Sequence, residues 1–175
     1  MPNAIKYQDT KVPVEQTLSE LAGLVKRYGG SRFEQGWTPE GRVSEVRFAI
    51  RHDTLGELPV RLPARTGRVQ AMLYEAGLWR SYPRQEREKK IAAQAERISW
   101  RHVKDLTEQL LLAVSLDIRS LAEAFLADVE IVDPELGEPV RMAEYLEQRA
   151  VADARGLVLE DAARSAIPMP PAERG

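Results

Sequence analysis

The amino-acid sequence predicts an α+β fold: an N-terminal helix, a three-stranded antiparallel meander, a long central helix and a smaller acidic helical C-terminal part. Three observations carry that expectation. Between Arg32 and Leu62, apolar residues alternate with polar ones in three short runs separated by Gly- and Pro-bearing turns, as half-buried strands require. From Ala92 to Val114, small or apolar residues recur every three or four positions (Ala92, Ala95, Ser99, Val103, Leu106, Leu110, Val114), which is the stripe of a helix. A chain of 175 residues, 43% apolar and 30% charged, is long enough for one domain with a core and short for two. Residues 1–165 are therefore read as one domain, basic over 1–105 and acidic over 106–165, followed by an extended or disordered Pro-rich tail, 166–175.

The elements follow in order. Val12-Pro13 marks a helix start, since proline in the first turn forfeits no needed hydrogen bond. Leu18, Leu21, Val25 and Tyr28 share one face of that helix, and Gly29-Gly30 ends it. Three strands come next. Phe33 and Trp37 share a face in the first, Val46, Phe48 and Ile50 alternate with Arg47, Ala49 and Arg51 in the second, and Leu58, Val60 and Leu62 alternate with Pro59, Arg61 and Pro63 in the third. Prolines at outward positions mark the third as an edge strand. A short helix around Val69, Met72, Leu73 and Ala76 is broken by Gly77. The long helix spans Pro83 to Leu116; its first half carries charge, and Leu110 to Val114 is apolar on every side, so its last turns are expected in the core. Ser120 and Glu123 have capping-box spacing. A short helix with Phe125, a strand over 129–132, a turn over 133–137 and a helix from Met142 towards Gly156 complete the chain.

Chemistry is narrowed by what the sequence lacks. With no cysteine, disulfides and thiolate catalysis are excluded, and an intracellular setting is the default. Neither a signal-peptide pattern nor an apolar run of about 18 residues occurs, so a cytoplasmic protein without a membrane anchor is expected. His52 and His102 fall in no metal spacing and lie beside no nucleophile in a recognisable setting. Tyr28-Gly29-Gly30-Ser31 lacks the lysine of a phosphate loop. Asp128, Glu130, Asp133 and Glu135 follow no cation-loop pattern and read as turn and surface charge. The expectation is a non-catalytic protein with no metal and no cofactor.

Charge is distributed unevenly. Residues 1–105 hold 19 basic and 13 acidic residues, a net of +6, whereas 106–175 hold 6 and 14, a net of −8. A basic surface facing an anionic partner is one consequence of such asymmetry; attraction between the two parts is the other. Arg47, Arg51 and Arg61 project from the meander opposite its apolar face, Arg65 and Arg68 follow, and Lys90, Arg97 and Arg101 lie on the first half of the long helix. With Trp100 and other aromatics for stacking, these form a candidate surface for nucleic acid or a nucleotide-like anion. Glu34, Glu45 and Glu57 lie among them and can turn the same face into a salt-linked one.

Over most of its length the chain resembles a family of small uncharacterised proteins from tailed phages and bacterial prophages. The resemblance rests on Val12-Pro13-Val14-Glu15-Gln16-Thr17 with Glu20, on Tyr28-Gly29-Gly30, and on Val46-Arg47-Phe48 and Val60-Arg61-Leu62-Pro63. Arg97-Ile98-Ser99-Trp100-Arg101 with Leu110-Leu111-Leu112, and Glu123-Ala124-Phe125-Leu126-Ala127, extend it. It implies a phage accessory protein acting in the cytoplasm of an infected or lysogenic host, and it carries over no catalytic residue. The alternative partner is a host or phage protein that the chain docks on and modulates. The small-residue stripe Ala92, Ala95, Ser99 and Val103 also offers a homodimer contact through the central helix, unless the same chain covers it.

Overall fold

The computed structural model describes residues 5–53 and 56–152. It shows the expected α+β architecture: α1 Val14–Arg27, β1 Gly30–Trp37, β2 Val43–His52, β3 Gly56–Pro63, α2 Thr66–Glu75, α3 Arg84–Ser115, α4 Leu121–Phe125, β4 Glu130–Val132 and β5 Pro139–Arg141. Residues 142–152 are helical; the tail over 166–175 lies outside the described residues. The chain divides into two compact units, Met1–Glu130 and Ile131–Gly175. No helix among the described residues is long and apolar enough to cross a membrane.

In the first unit the sheet has the order β1-β2-β3, antiparallel throughout. Alternation sets the β2–β3 register: Phe48 faces Val60 and Ile50 faces Leu58, which puts Arg47 directly opposite Arg61 on the other face. β3 is an edge, as its prolines require, and Val60 is bridged there by Val129. β1 is the other edge. Its pairing shifts between Ser31 and Glu34, where Arg32 takes a positive φ of 53°, and this bulge twists the edge.

The inner sheet face packs on helices. Leu18, Leu21, Leu24 and Val25 of α1 meet Val46, Phe48, Ile50, Val60 and Leu62, together with Trp100 and Leu111 of α3 and Phe125 of α4. Phe48 and Phe125 stand edge to face, with centroids 6.2 Å apart. Complete burial of Phe125 stabilises the unit by about 1.5–3 kcal/mol. Thr17 and Thr107 are buried with it, and each donates its hydroxyl to a carbonyl one turn back, Pro13 at 3.3 Å and Val103 at 2.8 Å. A second cluster, Leu73 with Ile91, Ala95 and Ile98, joins α2 to α3, flanked by Ile5, Tyr7 and Trp79.

One expectation about α3 is corrected. Its most buried stretch is Ile91 to Trp100, not the last turns: Leu111 is buried, but Leu112 is exposed, and Leu116 and Ile118 beyond it are 59% and 69% exposed. Where a helix is apolar all round, neighbouring elements decide which side is covered, and here only one side is. Of the small-residue stripe, Ala95 packs against Leu73 within the chain and Ser99 is buried, while Ala92 and Val103 are half-buried.

The capping box is present. Ser120 Oγ accepts from the Glu123 N–H at 3.1 Å while Glu123 Oε2 accepts from the Ser120 N–H at 2.7 Å. That backbone hydrogen bond holds the Glu123 carboxyl below its usual range. In the second unit, Asp133 is buried because it builds the expected turn, its Oδ1 accepting from the Glu135 and Leu136 N–H groups at 2.7 and 3.1 Å. Arg149 pairs there with Glu135 at 2.7 Å.

Candidate anion-binding surface

The sheet-face arginines are found where alternation puts them, and Arg47 and Arg61 are neutralised. Arg47 Nη2 lies 2.8 Å from Glu45 Oε1, and Arg61 Nε lies 3.4 Å from Glu45 Oε2. Glu130 Oε1 sits 3.7 Å from both guanidinium groups. Two arginines that oppose each other across a strand pair would repel; two carboxylates between them remove the net charge. Arg47 Nε and Glu130 Oε1 are buried and make no hydrogen bond, so the contact between them is electrostatic. Arg51 is exposed at the far end of the strand, where Glu57 opposite it pairs with Arg32 at 3.0 Å.

The remaining predicted residues are dispersed. Trp100 is 0% exposed and packed in the main core, so it is unavailable to stack on a base. Arg101 is committed to Glu20 at 2.8 Å and lies over the Tyr7 ring. Arg97 Nη1 donates to Gln94 Oε1 at 3.0 Å. Arg65 and Arg68 are exposed on α2 and its approach, and Lys90 stands over the Tyr82 ring at 4.5 Å.

Lys90 belongs to a group the sequence reading underweighted, the elbow between α2 and α3. Residues 65–90 carry seven basic and three acidic side chains, a net of +4 in a chain of net −2. Gly77 ends α2 at φ +73°, and a Cβ there would meet the Arg80 guanidinium at 2.4 Å, so glycine both turns the chain and lets Arg80 lie against it. Pro83 precedes α3 and supplies no side-chain cap to the first turn. Arg87 bends back across the elbow, its Nε donating to Leu78 O at 2.9 Å, with its guanidinium 4.9 Å from the Tyr74 ring centroid. Arg84 pairs with Glu88 at 2.9 Å, and this hydrogen bond raises its pKa further.

The outcome is an opening of about 470 Å³ lined by Tyr74, Arg80, Tyr82, Arg84, Arg87 and Glu88. Three guanidiniums and two phenol rings converge there against a single carboxylate. The charged run Arg84 to Lys90 and Tyr82 were visible as types in the sequence; what assembles them is the turn at Gly77 and the back-bonding of Arg87. Among the described residues no group of three or more His, Asp or Glu is placed to hold a metal ion. No protein-family model, curated protein or solved structure matches this chain.

Proposed function

We propose that the protein is a non-catalytic accessory protein, of the phage kind its sequence resembles, that binds nucleic acid or a nucleotide-like anion at the α2–α3 elbow. One observation carries the reading: Arg80, Arg84 and Arg87 meet Tyr74 and Tyr82 at one opening whose single carboxylate, Glu88, pairs with Arg84, whereas two carboxylates neutralise Arg47 and Arg61 on the sheet. Guanidinium groups neutralise phosphates, and an aromatic face supports a stacked base by about 1–3 kcal/mol. An opening of this size suits one nucleotide of a longer strand. Fluorescence anisotropy with a labelled oligothymidylate of about 20 nucleotides tests it. Affinity should fall steeply with salt, and replacing Arg80, Arg84 and Arg87 together with Gln should reduce the log–log salt slope by about 2, at roughly 0.7 per phosphate contact. Absence of binding to DNA and RNA at low salt would refute the reading.

A second reading, docking on a host or phage protein, is favoured by a different observation. Leu112 and Leu116 stand one turn apart on the open side of α3, with Ile118 just beyond, all exposed. A stoichiometric protein partner retained from nuclease-treated host lysate, and lost on Leu116→Asp with Ile118→Asp, supports that reading in place of the first.

A further inference from the structure

A second cavity, separate from the elbow, opens between α1, β1, the β1–β2 hairpin and α3, with a volume of about 480 Å³. One wall is apolar: Val14 and Leu18 of α1, alternate residues Phe33 and Trp37 of β1, and Val43. Trp37 is 63% exposed at its rim, the largest apolar side chain left in solvent among the described residues. Against that wall stand Lys11, Arg42 and Arg97, together with Glu15 and Glu96.

The position of Arg97 is built. Gln94 is buried, and both protons of its amide go to main-chain carbonyls, Gln8 O at 2.7 Å and Thr10 O at 3.0 Å. Its Oε1 is thereby left to accept from Arg97 Nη1 at 3.0 Å, which orients the guanidinium and leaves its other N–H groups without a partner among the described residues. Across the cavity, the β1–β2 turn fixes Arg42, whose N–H donates to Thr38 Oγ1 and whose carbonyl accepts from the Thr38 N–H at 2.8 Å. The Arg42 guanidinium forms no ion pair among the described residues. The guanidinium of Arg97, held by Gln94, with Arg42 on the fixed turn across from it, faces an aromatic wall, and three cations there outnumber Glu15 and Glu96; this matches one chemistry, a flat apolar body carrying one anionic group.

The geometry points to a binding site here for a small aromatic carboxylate or sulfonate, with the ring against Phe33 and Trp37 and the anion between Arg42 and Arg97. Glu96 modulates it. This half-buried carboxylate lines both this cavity and a smaller one of about 270 Å³ beside it. Burial raises its pKa; Glu15 on α1 adds to the rise, and Arg42 and Arg97 oppose it. Lys11 and Glu40 are the other charged groups around it, and α2 contributes only the uncharged Thr66 and Gln70. When ionised, Glu96 repels the bound anion, so affinity should rise as pH falls towards its raised pKa.

Isothermal titration of the full chain with naphthalene-2-sulfonate, which stays ionised throughout, tests the site, with naphthalene-2-methylamine as the cationic counterpart. The sulfonate should bind once per chain; Arg42→Gln and Arg97→Gln should each weaken it about tenfold. Glu96→Gln should bind more tightly at neutral pH and lose the gain on acidification. Trp37→Ala, at an exposed position, should weaken binding without unfolding. The elbow variant lacking Arg80, Arg84 and Arg87 should bind the sulfonate as the parent does, which separates this site from the nucleic-acid reading. No heat at millimolar sulfonate, tighter binding of the amine, or undiminished binding by both folded arginine variants would overturn the assignment.

Discussion

Glu130→Gln removes the carboxylate that two opposed arginines share, and the structure sets the scale of the loss. At 3.7 Å and an effective dielectric constant of about 20, each contact is worth roughly 4.5 kcal/mol before desolvation. Several factors reduce that figure. Glu130 and Arg61 are 14% and 18% exposed but Arg47 is 43% exposed, so screening weakens one contact, and Glu130 Oε1 makes no hydrogen bond. Glu45 remains as a partner for both arginines. A net cost of about 1–2 kcal/mol follows. In urea unfolding at low salt this moves the midpoint down by about 0.5–1 M, with the slope m unchanged. The loss should shrink in about 0.5 M salt, where the Arg47–Arg61 repulsion is screened. A variant as stable as the parent at low salt would refute the view that the sheet face is held by charge neutralisation.

Other substitutions probe other parts of the account. Gln94→Ala, which abandons two main-chain carbonyls and Arg97, should cost about 2–3 kcal/mol in the same assay and speed hydrogen exchange of the segment around Gln8 to Val12. Ala95→Glu buries a charge against Leu73 and Ile98; it should cost more than about 3 kcal/mol and appear in a thermal melt as unfolding, with no change of oligomeric state while folded. Burial pushes the Asp105 carboxyl up, but hydrogen bonds from Lys6 and the Tyr7 hydroxyl outweigh it, and its pKa in the folded protein lies below the ordinary value. A depressed folded pKa gives stability that is complete above the unfolded value of about 3.9 and is lost as pH falls through the folded one. Asp105→Asn should therefore be less stable than the parent at neutral pH, and the gap should close as pH falls through the folded pKa of Asp105.

The parts of this structure legible in the sequence are those set by local rules. Val46, Phe48 and Ile50 alternate into the core, Pro59 and Pro63 mark an edge, and Ser120 with Glu123 caps α4. Each depends on residues a few positions apart. What escaped depends on distant ones. Glu45 is readable in the sequence as a partner for Arg47 and Arg61, but Glu130, the second carboxylate between them, arrives from far along the chain. Trp100 sits between Ser99 and Arg101 in a basic stretch, and only the packing of α1 and the sheet on α3 shows it to be core. The run from Leu110 to Val114 has no polar face from which to read orientation, so its exposed side was invisible. The elbow fell between: its arginines and tyrosines are plain as residue types, but their convergence follows from the backbone at Gly77 and from Arg87 reaching Leu78 O.

The central claim is that anion binding belongs to the elbow and not to the sheet, and one head-to-head titration decides it. The parent, a variant with Arg80, Arg84 and Arg87 changed to Gln, and a variant with Arg47, Arg51 and Arg61 changed to Gln are compared for oligothymidylate binding across a salt series, each shown folded by circular dichroism. The account predicts that the elbow variant loses about two units of salt slope and most of its affinity, while the sheet variant keeps the parent slope within about half a unit. The reverse pattern, with the sheet variant losing binding and the elbow variant retaining it, would contradict the account.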